Sequence, residues 1–250
     1  MKYALISDVH SNLPALEAVL EDIDARRERD GIDAVYHLGD LVGYAPWPDE
    51  TVALIRERRI PGIAGNYDST VANDYKHCGC RAETQRAEEL SHESYEWTRA
   101  RVSAETKRAL GQLPFRMDIR PRGGHTSRPQ VTLVHGAPTL NTLYWTEDRP
   151  DSFCEKMAKA TGLKEGDLIA FGHTHKPWTR EVGGIRFVNT GSVGKPKDGD
   201  PRGSFALLET VDSHVRVSIE RVSYDAEAVS REMRAVGLPE ELADKLMTGT

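Results

Sequence analysis

The sequence predicts an α/β protein with a parallel sheet, because short strand-like runs alternate with helix-like segments from its first residues onward. Apolar runs at 3–6, 34–38 and 60–64 have the length and composition of buried strands. Apolar residues recur at helical spacing over 16–23, and a second helix is predicted near 49–58. Strands that alternate with helices are usually parallel, so their carboxyl ends share one edge of the sheet.

The start of the first helix carries a clear local signal. Asn12 stands where a helix N-cap is expected, and Pro14 follows at a position where its missing N–H costs little. Gly31 is placed to end the helix in a left-handed conformation. We therefore expect Asn12 to cap this helix, and contact with a substrate is its alternative role.

The rest of the chain continues the α/β pattern and then changes to antiparallel strands. Two helices are expected within 84–113, the second of them capped by Ser103. The other predicted elements are strands at 131–134, 168–171, 204–208 and 215–222, a helix at 151–161, a hairpin over 180–188, and helices within 225–247 that are interrupted at 237–239. No repeat or low-complexity stretch divides the chain, so a single domain over 1–250 is expected.

The composition limits the classes of protein that the chain can belong to. With 38% hydrophobic and 29% charged residues, it is globular rather than disordered. A net charge of −6 without a block of Lys and Arg disfavours an extended nucleic-acid surface. No stretch approaches the ~20 apolar residues that cross a membrane, and the first apolar run is too short for a signal peptide. Three cysteines do not indicate a disulfide framework, so a cytoplasmic protein is expected.

Polar side chains follow five of the predicted strands, at the edge where ligands bind in open α/β sheets. Each of these clusters alone is weak evidence, because a histidine or a Gly-Asn turn after a strand is usually structural. Together they supply two carboxylates, one amide and four imidazoles: Asp8, Asp40, Asn66, His10, His135, His173 and His175. Imidazole and carboxylate suit first-row transition metals. Seven ligands are too many for one such ion but fill two if one carboxylate bridges.

The order of these motifs resembles the calcineurin-like metallophosphoesterase superfamily, and the compact length resembles its small prokaryotic phosphodiesterase branch. The motifs are Asp-x-His, Gly-Asp-x-x-Gly, Gly-Asn-x-Asp, His-Gly and Gly-His-x-His, which extend from Asp8 to His175, with Gly-Ser-Val-Gly following at 191–194. The resemblance implies a four-layer α-β-β-α sandwich with mixed sheets. It also implies two metal sites, one formed by Asp8, His10, Asp40 and His175, the other by Asp40, Asn66, His135 and His173.

The implied activity is metal-dependent hydrolysis of a phosphate ester, as a phosphodiesterase or a phosphatase. Two divalent transition-metal ions (Mn, Fe, Zn, Ni or Co) would activate a bridging water or hydroxide for attack on phosphorus. Their charge exceeds that of two aspartates and one hydroxide, so the site attracts phosphate although the whole protein is acidic.

Tyr67 departs from the pattern of the superfamily. A histidine commonly follows the motif asparagine there and is thought to protonate the leaving group, whereas this chain has Asn66-Tyr67. A phenol donates a proton less readily than an imidazolium. Asp68 is expected either to accept a hydrogen bond from a metal ligand or to close a turn. The predicted catalytic residues are therefore Asp40, Asn66, Tyr67 and Asp68.

Several further residues could have either a functional or a structural role. The loop 191–202 could bring Lys195 or Arg202 to a phosphate, or could be an ordinary solvated loop, since its spacing is not that of a P-loop. Cys78 and Cys80, preceded by His77, could bind a metal, but without a second cysteine pair a zinc site is disfavoured. Four other histidines are expected to be structural or on the surface: His37, His92, His125 and His214.

Two alternatives to the leading function remain at this point. One is a phosphoprotein or dinucleotide-polyphosphate phosphatase, which the superfamily also contains, although Tyr67 argues mildly against it. The other is a non-enzymatic interaction scaffold, as in a eukaryotic retromer subunit that resembles this fold and has lost metal-site histidines. All seven expected ligands are present here, which disfavours a scaffold. The substrate and the native metal are open, and so is association into a homo-oligomer.

Overall fold

The computed structural model describes residues 1–80, 84–120, 129–211 and 214–250, which form two mixed β-sheets and the helices that cover them. The strands are β1 (Lys2–Ile6), β2 (Ala34–His37), β3 (Arg116–Ile119), β4 (Val131–Val134), β5 (Leu168–Phe171), β6 (Trp178–Val182), β7 (Ile185–Asn189), β8 (Gly203–Val211) and β9 (His214–Val222). The helices are α1 (Leu13–Asp30), α2 (Pro48–Glu57), α3 (Asn66–Ala72), α4 (Gln85–Arg101), α5 (Ala104–Leu110), α6 (Asp151–Thr161), α7 (Ala226–Ala235) and α8 (Glu240–Thr248).

The two sheets each combine parallel and antiparallel pairs. One has the strand order β2-β1-β8-β9, and the other has the order β3-β4-β5-β7-β6. Strand β1 pairs parallel with β2 and antiparallel with β8, whereas β5 lies parallel between β4 and β7. The carboxyl ends of β1, β2, β4 and β5 therefore deliver the residues that follow them to a common region.

Strand β1 shows how the layers are assembled. Tyr3 and Leu5 belong to a core cluster with Leu133 of β4 and Leu168 of β5, which lies between the two sheets. Ala4 and Ile6 point the other way, into a cluster with helices α1, α7 and α8. A third cluster packs α6 against the outer face of the second sheet. Side chains alternate between the faces of a strand, so this order gives the α-β-β-α sandwich that the resemblance implied.

The predicted elements and the observed ones differ in three places. The prediction of a strand at 60–64 is wrong, because this segment makes only an isolated β-bridge between His37 and Gly62. Pro61 lacks the N–H that a longer ladder needs. Strand β3 was not predicted, and Asn66 begins the short helix α3 where only a turn was expected.

The helix caps follow the local sequence closely. The Asn12 side chain accepts a hydrogen bond from the Ala15 amide at 3.2 Å, and Gly31 has a left-handed φ of 73°. Ser103 caps α5 as predicted, through the Thr106 amide. No helix of the described ranges is both long and apolar enough to cross a membrane.

Candidate metal centre

The seven predicted ligands come together at the carboxyl edge of the sheets. Asp8 and His10 follow β1, Asp40 follows β2, His135 follows β4, and His173 and His175 follow β5. Asn66 opens α3 beside them. All seven side chains are buried, none more than 4% exposed. We refer to these seven residues as the metal-ligand cluster.

Three of these residues form the first half of the cluster. The Nε2 atoms of His10 and His175 lie 3.0 Å apart. Asp8 Oδ1 lies 3.2 Å from His175 Nε2 and 3.8 Å from His10 Nε2. One carboxylate and two imidazoles thus converge with their ligand atoms within 4.8 Å of one another, so this half could hold a metal ion.

The second half is built on His135. Its Nε2 lies 3.1 Å from Asn66 Oδ1, 3.2 Å from His173 Nδ1 and 3.4 Å from Asp40 Oδ2. Asp40, His135 and His173 also bring their ligand atoms within 4.8 Å of one another. The Asn66 Nδ2 atom donates to the Cys78 carbonyl at 3.0 Å, which leaves the amide oxygen pointing into the cluster.

Asp40 lies between the two halves. Its Oδ2 is 3.7 Å from His10 Nε2 and 3.4 Å from His135 Nε2, which belong to different halves. Its Oδ1 accepts a hydrogen bond from the Tyr67 amide at 2.9 Å. That bond orients the carboxylate so that Oδ2 faces both halves at once.

Three of the histidines are held by backbone carbonyls through the second ring nitrogen. His10 Nδ1 lies 3.1 Å from the Val42 carbonyl, and His135 Nδ1 lies 2.9 Å from the Leu38 carbonyl. His175 Nδ1 lies 2.5 Å from the Lys195 carbonyl. A carbonyl oxygen can only accept a hydrogen bond, so Nδ1 carries the hydrogen and Nε2 faces the cluster as the atom that can bind a metal.

The backbone at the cluster is strained. Five of its members have left-handed φ values: Asp8 (52°), His10 (50°), Asp40 (52°), His173 (65°) and His175 (61°). Such conformations are uncommon for residues with a side chain and concentrate at functional sites. Glycines make room for the ligands, because a Cβ on Gly65 would lie 2.0 Å from Asp40 Oδ1.

The electrostatics of the cluster also suit a cation. Burial lowers the pKa of His10, His173 and His175, so these rings are neutral near pH 7, the form that binds metal. Burial acts in the same direction on His135, but the carboxylates of Asp40 and Asp8 prevail and raise the pKa of His135 to about 10. The raised pKa shows that the carboxylates create a negative electrostatic potential at the His135 ring. A bound cation would neutralise this potential in place of the proton.

One buried atom of the cluster supports the fit to metal. Asp8 Oδ1 has no hydrogen-bond partner among the described residues. The other Asp8 oxygen accepts from Ser7 Oγ at 2.6 Å and from the His173 amide at 2.9 Å. A buried carboxylate oxygen without a partner is costly, and a metal ion would satisfy it.

Asp68 and Asn12 have structural partners in this fold. Asp68 accepts hydrogen bonds from the backbone amides of Leu41 at 2.9 Å and Gly65 at 3.0 Å, so it joins the two loops that carry Asp40 and Asn66. Burial and the nearby Asp40 raise the pKa of Asp68 to about 7. Asn12 is fully buried, and its Nδ2 donates to the Gly194 carbonyl at 2.9 Å while its oxygen caps α1.

Tyr67 is 1% exposed and packs below the cluster. Its ring lies 5.4 Å from the His10 ring and 5.2 Å from the Tyr44 ring, and it closely underlies Gly43. Its hydroxyl has no hydrogen-bond partner within the described structure. Burial raises the pKa of Tyr67 well above 10.

Among the other residues that the sequence singled out, Lys195 is the basic residue that lies beside the metal-ligand cluster. Lys195 is buried beside His175, whereas the exposed Arg202 pairs with the Asp200 carboxylate at 2.6 Å. Cys78 and Cys80 form a disulfide, so neither offers a thiolate to a metal. His37 is buried in β2 and His92 lies exposed on α4, whereas His125 and the side chain of His214 lie outside the described residues.

Sequence reasoning missed three residues that border the cluster. Tyr44 and Tyr144 place their rings 4.9 Å and 4.5 Å from those of His10 and His173, and Lys197 donates its amide to the His175 carbonyl at 3.4 Å. No local motif marked the two tyrosines. Lys197 stood two positions after the predicted Lys195, which was the one available signal.

Comparison with known proteins agrees with this geometry. The family model of the calcineurin-like phosphoesterase superfamily domain matches residues 1–213. The chain is 30% identical to the uncharacterized protein MJ0912 of Methanocaldococcus jannaschii, with 98% of this chain and 97% of that protein covered. It is 26% identical to the phosphodiesterase YfcE of Escherichia coli K12, with 84% and 88% covered.

A solved structure shows the same architecture. The metallophosphoesterase from Sphaerobacter thermophilus superimposes with a TM-score of 0.75 and 31% identity, covering 100% of this chain and 99% of that one. Fold, ligand positions and family model together identify a hydrolase of phosphate esters with residues able to hold metal. The chain is a member of the calcineurin-like phosphoesterase superfamily.

Proposed function

We propose that the chain is a phosphodiesterase that works with two divalent transition-metal ions held by the metal-ligand cluster. The position of Asp40 Oδ2 carries the proposal. It lies 3.7 Å from His10 Nε2 and 3.4 Å from His135 Nε2, where one carboxylate can serve both halves. Mn, Fe, Zn, Ni and Co all accept this set of imidazole and carboxylate ligands.

The two ions would supply Lewis acidity and activate water as the nucleophile. In the overall reaction, water adds to phosphorus, one P–O ester bond breaks, and the leaving alkoxide takes a proton. The protein itself holds the ligand atoms in place through the carbonyls of Val42, Leu38 and Lys195 and through the Tyr67 amide. Burial of the cluster limits the access of bulk water.

We further propose that Tyr67 supports the site and does not donate the proton. Its side chain is almost fully buried, and burial raises its pKa well above 10, so it is a poor acid. Its edge-to-face contact with the His10 ring and its tilted contact with the Tyr44 ring instead fix the position of a metal ligand. The proton would then come from solvent or from the substrate, which favours esters with acidic leaving groups.

The preference for a diester rests on a relative, since the 26%-identical YfcE is named a phosphodiesterase. We also propose one domain over 1–250 and a cytoplasmic location. The single domain is supported by β9, which pairs with β8 along its whole length, and by α7 and α8, which pack into the same core as α1.

The test is Asp40→Asn, assayed with bis(p-nitrophenyl) phosphate and p-nitrophenyl phosphate in the presence of each candidate metal. We expect wild type to hold two ions per chain and to favour the diester. We expect Asp40→Asn to lose metal and turnover but to show a cooperative thermal unfolding transition, which indicates that it is folded. Asp22→Asn, at a partly exposed carboxylate that pairs with Arg26, is the control. Near-normal turnover of Asp40→Asn with two bound ions would refute the dinuclear assignment.

A further inference from the structure

A cleft of about 460 Å³ opens beside the metal-ligand cluster. Tyr44 and Tyr144 line it, and their rings contact those of His10 and His173 at 4.9 Å and 4.5 Å. Thr174, which stands between two of the ligand histidines, also lines it. The volume lies within the range of small-molecule pockets. A molecule in this cleft therefore lies directly beside the ligands.

Four lysines line the same cleft, and we call them the lysine cluster: Lys176, Lys195, Lys197 and Lys245. The backbone of two of them is hydrogen-bonded to the metal-ligand residue His175. The Lys195 carbonyl accepts from His175 Nδ1 at 2.5 Å, and the Lys197 amide donates to the His175 carbonyl at 3.4 Å. Lys245 comes from α8, beyond the residues 1–213 that the family model matches. The cluster is thus joined from segments far apart in the chain.

The lysine cluster has no carboxylate side chain beside it in the cleft, because no aspartate or glutamate is among the described residues that line it. Burial lowers the pKa of Lys197, and only the carboxylates of Asp8 and Asp40, which belong to the metal-ligand cluster, oppose that shift. The neighbouring Arg202 and Arg221 instead pair with Asp200 and Asp198. Lys195 is only 8% exposed, and its Nζ lies 4.4 Å from the centre of the Tyr44 ring. A buried ammonium without an anion is costly, so an anionic ligand would relieve the site.

We infer that the lysine cluster binds a second phosphate group of the substrate, distinct from the phosphate that is hydrolysed. This inference rests on the proposed function, because the metal-ligand cluster must hold the scissile phosphate. A diester with a single charge leaves the four ammonium groups without a partner. A small ester that carries a further phosphate places one group on each cluster, since lysine recognises phosphate as a point charge. The substrate class is therefore a small diester with an additional phosphate group.

Two chromogenic probes test this directly. Thymidine 5′-(p-nitrophenyl phosphate) and its 3′-phosphorylated counterpart share the scissile bond and the leaving group and differ by one phosphate. We expect wild-type holoenzyme to favour the 3′-phosphorylated probe by about tenfold to a hundredfold in kcat/KM, mainly through KM. The double variant Lys197→Gln/Lys245→Gln should bring this ratio close to one.

Binding provides a readout that does not depend on turnover. Calorimetry on the metal-loaded full chain should show tighter binding of thymidine 3′,5′-bisphosphate than of thymidine 5′-phosphate, and the double variant should lose the difference. Lys197→Arg keeps the positive charge and should keep the preference for the additional phosphate. This variant therefore distinguishes the effect of a lost charge from the effect of a disturbed fold. Lys159→Gln removes a charge from the exposed face of α6 and is the control that should change neither ratio.

The two hypotheses fail in different ways. If wild type hydrolyses neither probe with any metal, the proposed function fails. If it hydrolyses both equally and binds both nucleotides equally, the inference about the lysine cluster fails and the proposed function stands. A preference that survives in the double variant also overturns the inference, because the second phosphate must then bind elsewhere.

Discussion

The metal-ligand cluster and the lysine cluster adjoin one another but are held in opposite ways. In the first, backbone carbonyls bind His10, His135 and His175, and backbone amides bind Asp8 and Asp40. In the second, no aspartate or glutamate lines the cleft beside the ammonium groups within the described structure. The first arrangement commits its side chains to one geometry before any ligand arrives. The second leaves its charge available, so the first suits chemistry common to all substrates and the second suits selection among them.

Loss of a histidine ligand should have the largest effect of the changes that distinguish the two clusters, because it acts on the metal-ligand cluster alone. His135→Ala removes the residue on which the second half is built, so we expect turnover of both thymidine probes to fall by more than about a hundredfold, above the usual effect of an outer-sphere change. Metal content should fall with it, while the ratio between the probes stays the same. His92→Ala, at an exposed position on α4, is the control. Unequal losses on the two probes would contradict the division of roles.

Acidification should separate the two clusters without a mutation. Burial lowers the pKa of His10, His173 and His175, so they are neutral at pH 7 and gain protons only as the pH falls. The pKa of His135 is raised to about 10, so its proton already competes with metal at pH 7, and metal binding should weaken gradually as the pH falls from about 10. Below about pH 6 the other three rings also gain protons, so activity and bound metal should then decline together and more steeply. Activity should fall by roughly tenfold per pH unit for each proton that competes with metal. Metal that stays bound while activity declines would point to another titrating group.

Added salt should act on the lysine side alone. Three of the four lysines are partly or fully exposed, so raising the ionic strength from about 0.1 M to 1 M should screen them. We expect the preference for the 3′-phosphorylated probe to shrink by a few-fold while kcat on the unphosphorylated probe changes little. The measurement is kcat and KM for both probes across a salt series with a fixed metal concentration. An equal salt effect on both probes would indicate general steering rather than a second phosphate site.

Tyr67→Phe should have the smallest effect. The hydroxyl is buried without a hydrogen-bond partner among the described residues, so its removal should change rates by less than about threefold. Plots of log kcat/KM against leaving-group pKa for wild type and Tyr67→Phe should be parallel. A steeper line for Tyr67→Phe would show that Tyr67 protonates poor leaving groups. In that case, Tyr67→His should restore and exceed the wild-type rate on alkyl esters.

Much of the metal-ligand cluster could be predicted because its signals are local. Asp8, Asp40, His135 and His173 each stand within three residues after a buried strand, and parallel strands share their carboxyl edge. The roles of the neighbours were less accessible. Asp68 was expected to accept a hydrogen bond from a metal ligand or to close a turn, and its bond to the Gly65 amide, three residues before it, does close the first turn of α3. Its second bond, to the Leu41 amide, joins another loop and is 27 residues away, so no spacing rule reveals it.

The sequence by itself determined the α/β class, the seven candidate ligands and the caps at Asn12 and Ser103, since each depends on residues a few positions away. Only the tertiary structure decided that Asp40 Oδ2 lies between His10 and His135, and that Lys245 of α8 shares a cleft with Lys197. It also decided the left-handed backbone at Asp8 and at four other ligands. The physical reason is that these features depend on long-range packing, which holds strained residues and unpaired charges where local preferences alone would not place them.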